Sequence, residues 1–191
     1  MPITIGIAGA GSGAGKTAFG ELLLKHLRGW GALKFTKTEI YTSVIDDEEI
    51  LREEGKDTAR YLAAGAEKVV WVKGPAGLKD DMNDLEEALT LALGRLAHLA
   101  GILIEGNSAI ELLKPDIVIF ISAKYIKNNA LRVLDMAHAI LGESGEGGES
   151  KKRPHFGDPE ECARYILGLV NERRDKKALD GEGERGQDNL P

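Results

Sequence analysis

A single cysteine among 191 residues excludes an internal disulfide framework and cannot build a cysteine zinc site. Long apolar runs are missing as well. None approaches the roughly 20 residues that a membrane-spanning helix requires, so no membrane association is expected. The beginning, "MPITIGIAGAG", lacks a basic n-region and runs straight into a strand pattern. A cleaved signal peptide is therefore not expected, and the cytoplasm is the default location. Basic residues are in deficit: 25 Lys and Arg face 31 Asp and Glu, for a net charge of −6. That balance argues against nucleic-acid binding, which depends on neutralising many phosphates. One local phosphate site remains compatible with it, because such a site draws on backbone N–H groups and one or two cations.

What is present reads as a soluble globular chain, with 42% hydrophobic and 29% charged residues and a length that fits one domain. Four near-continuous runs rich in Val and Ile have the pattern of strands buried on both faces of a parallel sheet. They are "ITIGIA" (3–8), "KVVWV" (68–72), "GILIEG" (101–106) and "DIVIFIS" (116–122), with "ALKFTKT" (32–38) as a more polar fifth. Helical spacing separates them. It places Phe19, Leu22, Leu23 and Leu27 on one face of 16–28, and Leu85, Leu89, Ala92, Leu96 and Leu99 on one face of 82–99. A third pattern covers 127–141 through Leu131, Leu134 and Leu141. Alternating strands and helices predict an α/β fold, a mainly parallel sheet flanked by helices. Residues 143–157 are expected to be a flexible linker, beginning with "ESGEGGES". A last helix should start at Pro159 with Asp158 as N-cap and carry Cys162, Ile166, Leu169 and Val170 on one side. The domain is expected to span 1–178, with 179–191 a disordered tail.

The chemistry is concentrated in Ala10-Gly11-Ser12-Gly13-Ala14-Gly15-Lys16-Thr17, which fits the phosphate-loop pattern with Ala in place of the first Gly. The backbone must wrap around phosphates and turn its N–H groups inward, and only small residues permit that. A buried strand precedes the loop and an amphipathic helix follows, whose N-terminal dipole end adds positive potential. This context predicts a P-loop NTPase fold, with Gly11 through Ala18 around the phosphates. Lys16 would reach the β- and γ-phosphates, and the Thr17 hydroxyl would bind Mg²⁺. Glu105 closes an apolar strand, where a carboxylate is costly unless paired or metal-bound. It is the expected Mg²⁺ partner, directly or through a water, and with Lys16 the expected catalytic residue; a strand-end Glu facing solvent is the alternative.

With "EEGKDTARYLAAGA" (53–66) added, the chain resembles the molybdopterin-guanine dinucleotide biosynthesis protein B family. This is a nucleotide-binding family within the phosphate-loop class that includes dethiobiotin synthetase and metallocentre-assembly GTPases. The resemblance rests on Gly15-Lys16-Thr17, Lys37 at the end of strand two, Gly55-Lys56-Asp57-Thr58 entering a helix that ends Ala64-Gly65-Ala66, and Glu105-Gly106. It covers roughly residues 1–122. It implies GTP binding with Mg²⁺ as cofactor and an accessory NTPase role, assisting the enzyme that joins a guanine nucleotide to molybdopterin. The chain departs from the family at Thr38-Glu39-Ile40-Tyr41, where histidines are common, and at Asn107-Ser108-Ala109, where an aromatic-lysine continuation is usual.

Several choices stay open at this level. No Asn/Thr-Lys-x-Asp segment marks guanine, and Ser122-Ala123-Lys124 is a short match to another base-contacting loop, so the purine triphosphate is GTP or ATP. The expected partners are that nucleotide and a cofactor-assembly protein, with a homodimer left open. Slow hydrolysis, an ATP-dependent kinase or ligase of the dethiobiotin-synthetase kind, and a nucleotide-sensing regulatory module are the competing activities. Lys37, Asp46, Asp47, Lys56 and Asp57 are candidates for handling a nucleophile or second substrate. His26, His98 and His138 lack partners at metal-ligand spacing, Cys162 reads as an inert buried thiol, and Trp30 and Trp71 as core or helix-end aromatics.

Overall fold

The apolar runs of the sequence become the middle of one eight-stranded sheet. The computed structural model describes residues 2–39, 41–75, 79–142 and 153–185, with backbone alone at 79–82 and 180–185. In chain order the elements are β1 (Ile3–Gly9), α1 (Lys16–Leu24), β2 (Trp30–Lys37), β3 (Ser43–Ile45), α2 (Glu48–Leu51), α3 (Asp57–Ala63), β4 (Val69–Gly74) and α4 (Lys79–Leu96). Then follow β5 (Gly101–Glu105), α5 (Asn107–Leu113), β6 (Ile117–Ile121), a short 3₁₀ turn (Asn128–Ala130), α6 (Leu131–Met136), β7 (Ala139–Leu141), β8 (His155–Phe156) and α7 (Pro159–Arg185).

The strands lie in the order β3-β4-β2-β5-β1-β6-β7-β8, and every neighbouring pair is parallel except β3 with β4. Strand alternation divides the core into two layers. Ile3, Ile5 and Ile7 face a layer that includes Phe19 and Leu23 of α1, Tyr61 of α3 and Cys162 and Ile166 of α7. Leu33, Ile104 and Phe120 face the other, with Leu85 and Leu89 of α4, Ile110 of α5 and Val133 of α6. Burial on both sides explains why β5 and β6 are apolar without alternation. The β1–β6 register is locked by Asp116, whose carboxylate accepts from the Thr4 N–H at 2.8 Å and the Thr4 hydroxyl at 3.0 Å. Parallel pairing brings the ends of β1, β2, β5 and β6 to one edge. The chain leaves β1 for β2 on one side and β5 for β6 on the other, so a crevice opens there, the usual ligand position in open α/β sheets.

The third helical pattern is corrected in part. Residues 128–136 are helical, but the backbone turns extended at Ala137 and Ala139–Leu141 form β7 beside β6. Of the leucines that made the pattern, Leu131 is exposed and Leu141 is buried in the opposite layer, so their spacing was coincidental. The expected linker also differs. Residues 143–152 lie outside the described residues, but Arg153 donates to the Leu134 and Asp135 carbonyls at the end of α6, and His155–Phe156 pair with β7. The last helix passes residue 178 and its backbone continues to Arg185, with charged helix formers such as Lys176 and Lys177 sustaining the exposed turns over 174–179. Residues 186–191 of the expected tail are outside the described residues. Among the described residues no helix is long and apolar enough to cross a membrane.

The histidines and the cysteine have structural positions. His26 and His98 are exposed. Burial pushes the Cys162 thiol up to about 12, which leaves it without thiolate reactivity. His138 sits between β6 and α7, its Nδ1 accepting from the Val118 N–H at 3.1 Å. Burial, then the charges of Arg173 and Arg153, hold its pKa below the ordinary 6.5. A depressed folded-state value means that the unfolded chain binds the extra proton first. Stability is then full above about pH 6.5 and falls as pH drops through that value toward the folded one. Urea melts at pH 7 and 5.5 are expected to show this loss, and His138→Asn to flatten it. An unchanged slope in the variant would remove His138 as its source.

Candidate functional site

The turn from β1 into α1 is where the glycines act. Gly13 and Gly15 hold φ of 76° and 93°, a region that disfavours any side chain. The loop lines a crevice of about 750 Å³. Gly11, Ser12, Gly13, Gly15, Lys16, Thr17 and Ala18 all border it, whereas Ala14 packs its methyl against the α1 layer of the core. Lys16 folds across the loop, its Nζ donating to the Gly11 carbonyl at 2.8 Å. Burial lowers its pKa, and the nearby Lys34 adds to this against the opposing charge of Glu105. Asn107 anchors the strand just before the loop. Its side-chain oxygen accepts from the Gly9 N–H at 3.0 Å and its amide nitrogen donates to the Gly9 carbonyl at 2.9 Å.

Glu105 lies beneath the loop, 2% exposed, so the solvent-facing alternative is excluded. Its Oε1 pairs with the Lys34 Nζ at 2.5 Å. Its Oε2 accepts from the Thr17 hydroxyl at 3.1 Å and from the Tyr61 phenol. Burial first, then the charge of Glu105, raises the Tyr61 pKa far above its ordinary value, so the phenol keeps its proton and donates. Lys34 reaches a second carboxylate, Asp57 Oδ2, at 2.7 Å. Burial alone would raise the Asp57 pKa, but Lys34, with Thr17 and Arg60, outweighs it and holds the carboxyl below its ordinary value. Removing one member of the buried Lys34–Glu105 pair strands a charge and costs about 3–5 kcal/mol.

Thr17 and Glu105, expected together as metal ligands, do not fit as a pair of direct ligands. Both Glu105 oxygens are already engaged, and a dication bound to them would sit near the Lys34 ammonium. At about 4 Å and an effective dielectric of ~20 that repulsion is on the order of 8 kcal/mol. Among the described residues no cluster of three or more His, Cys, Asp or Glu could hold a metal ion. The Thr17 hydroxyl donates to Glu105 yet keeps its oxygen lone pairs, so Thr17 can meet an ion carried in on a phosphate, and of the two contacts expected for Glu105 the water-mediated one is left.

The other expected residues divide. Lys37 and Asp57 border the crevice. Asp46 instead pairs with Lys68 and Arg95 at 3.3 and 2.8 Å, and Asp47 caps α2 through the Glu49 and Ile50 N–H groups. Lys56 binds Glu53 at 2.7 Å and lies over the Trp71 ring. Lys34, Tyr61, Asn107 and Lys127 are additions. Lys34 alone left a sequence signal, a lysine inside the apolar run Ala32-Leu33-Lys34-Phe35. Lys127, on the loop after β6, takes the Ala10 carbonyl with its backbone N–H at 3.3 Å and borders the crevice beside Gly11. Among the described residues, Lys16, Lys34, Lys37, Arg60 and Lys127 border the crevice against the carboxylates Asp57 and Glu105, an excess suited to a polyanion.

The chain has a P-loop NTPase fold. The glycine-rich loop joins the central β1 to α1, and the strand that presents Glu105 is the immediate neighbour of β1. No family model and no curated protein matches the sequence. Among solved structures, the signal recognition particle receptor FtsY from Elizabethkingia anophelis is similar at 12% identity and a TM-score of 0.34. The match covers 74% of this chain and 50% of the receptor, so the chain spans about half the length of that structure.

Proposed function

We propose that the chain binds a purine nucleoside triphosphate in the crevice above β1 and serves as an accessory NTPase in molybdopterin-guanine dinucleotide synthesis. The observation that carries the nucleotide reading is the loop itself: Gly13 and Gly15 at positive φ, with Lys16 lying across a crevice dominated by basic side chains. Lys16 and the loop amides grip the phosphates. Lys34 and Lys37 add positive charge, and Thr17 is the protein contact for Mg²⁺ brought by the nucleotide. Phosphoryl transfer in such folds depends on positioning and charge stabilisation, which this set supplies. The molybdenum role is supported by the resemblance, and Lys37 and Asp57, two of the residues that carry it, border the same crevice.

Calorimetric titration of GTP and of ATP, each with Mg²⁺, tests the reading. GTP is expected to bind at least about tenfold more tightly, a difference of roughly 1.4 kcal/mol. A preference for ATP, with turnover on a small carboxylic acid and no partner, would replace the accessory role with a kinase or ligase. No heat with either nucleotide would remove the function altogether.

A further inference from the structure

We infer that the Lys34 ammonium is a built-in cation, seated between Glu105 and Asp57 where a divalent ion would otherwise bridge the two carboxylates. The protein's own carboxylates then neither recruit a metal nor need one to hold the phosphate crevice in shape. The nucleotide arm of the test below rests on the proposed function; the metal arm does not.

Three observations meet at this residue. Lys34 Nζ lies 2.5 Å from Glu105 Oε1 and 2.7 Å from Asp57 Oδ2, so one ammonium joins β2, β5 and α3 at a single point. Its side chain is 11% exposed and that of Glu105 2%, so water does little to compensate either charge. The remaining contacts of Glu105 among the described residues, from Thr17 and Tyr61, are both hydrogen-bond donors, so with Lys34 they take three of the carboxylate's roughly four lone-pair sites and leave an added metal little to bind. An ammonium carries three N–H donors. Two are taken by Glu105 and Asp57, and because Lys34 borders the crevice, the third is left for a phosphate oxygen. Strand parity separates this lysine from Lys37. Lys34 shares the face of Ala32, in the layer with Tyr61, whereas Lys37 belongs to the opposite face with Leu33 and Phe35.

The test measures metal dependence. GTP affinity of the wild-type chain is read by calorimetry in excess Mg²⁺ and again in excess chelator, and Mn²⁺ binding to nucleotide-free protein by electron paramagnetic resonance. The wild type is expected to lose less than about tenfold in GTP affinity on chelation and to leave millimolar Mn²⁺ free. Lys34→Met exposes both carboxylates to any cation present. It is expected to retain Mn²⁺ without nucleotide and to lose at least about a hundredfold in GTP affinity on chelation. Lys34→Arg keeps the charge between the carboxylates and is expected to leave millimolar Mn²⁺ free, as the wild type does. Wild-type GTP binding that collapses with chelator, or wild-type protein that holds Mn²⁺, overturns the inference, as does a folded Lys34→Met that takes up no metal. If Lys34→Met fails to fold, the two wild-type measurements still decide. If GTP does not bind under either condition, the proposed function fails while the manganese measurement still decides this inference.

Discussion

Lys16→Ala is expected to weaken triphosphate binding by at least about a hundredfold while the thermal melt stays close to wild type. Each charge-assisted hydrogen bond from this ammonium to a phosphate oxygen contributes about 1.5–3 kcal/mol, and two such bonds account for the whole loss. The side chain is already half-desolvated, with burial lowering its pKa, so phosphate meets a cation poorly compensated by water. The fold has little at stake. Among the described residues, the one side-chain hydrogen bond lost without nucleotide is that from Nζ to the Gly11 carbonyl at 2.8 Å, and alanine is a stronger helix former than lysine at the start of α1. Calorimetry beside a thermal melt separates the two effects. Unchanged affinity in a folded variant would detach the glycine loop from phosphate recognition and leave the crevice without an assigned ligand.

The split between what could be read from the sequence and what could not follows the range of the interactions. Ile3 to Ala8, Gly101 to Glu105 and Ile117 to Ile121 announce buried parallel strands because both faces are apolar, a purely local property. The stripe from Leu85 to Leu99 on α4 is legible for the same reason, as is the glycine loop. Lys37 stood out because it closes a strand and belongs to a motif, yet Lys34 holds the two carboxylates. Its signal was a charge inside an apolar run, which demands a partner but does not say where. Tyr61 had no signal at all, since its partner lies 44 residues away. Short pairings were lost too: β3, β7 and β8 are each of three residues or fewer, below the length at which alternation can be told from chance. Helix α5 follows Gly106, whose φ of 132° turns the chain out of β5, and its seven residues are too few for a convincing helical period.

Gly101→Ala is expected to be the most damaging single methyl in the chain's core, because the space it would enter is already taken. A Cβ there would stand 2.3 Å from the Cε2 and Cζ2 of Trp30, an indole that is itself fully buried. Neither side can move aside easily. Gly101 pairs with Ile3 of β1 on one side and Trp30 of β2 on the other, so β5 is held at the centre of the sheet. The indole is confined within the core layer shared with α1 and α7. Overpacking of this kind costs about 1–3 kcal/mol and sometimes more, and the rigid surroundings put this site at or above the top of that range. At roughly 2–4 °C per kcal/mol for a chain of this size, the melting temperature should fall by about 10 °C. Trp30→Leu is expected to destabilise the chain on its own by opening a cavity. In that background, however, Gly101→Ala should cost far less, because the ring it meets is gone. A double-mutant cycle in urea therefore should give a coupling of about 1–3 kcal/mol between the two positions. Additive losses would mean that the strand, not the indole, yields to the methyl. Glu105, four residues along the same strand, would then shift against Lys34, and triphosphate affinity would fall along with stability.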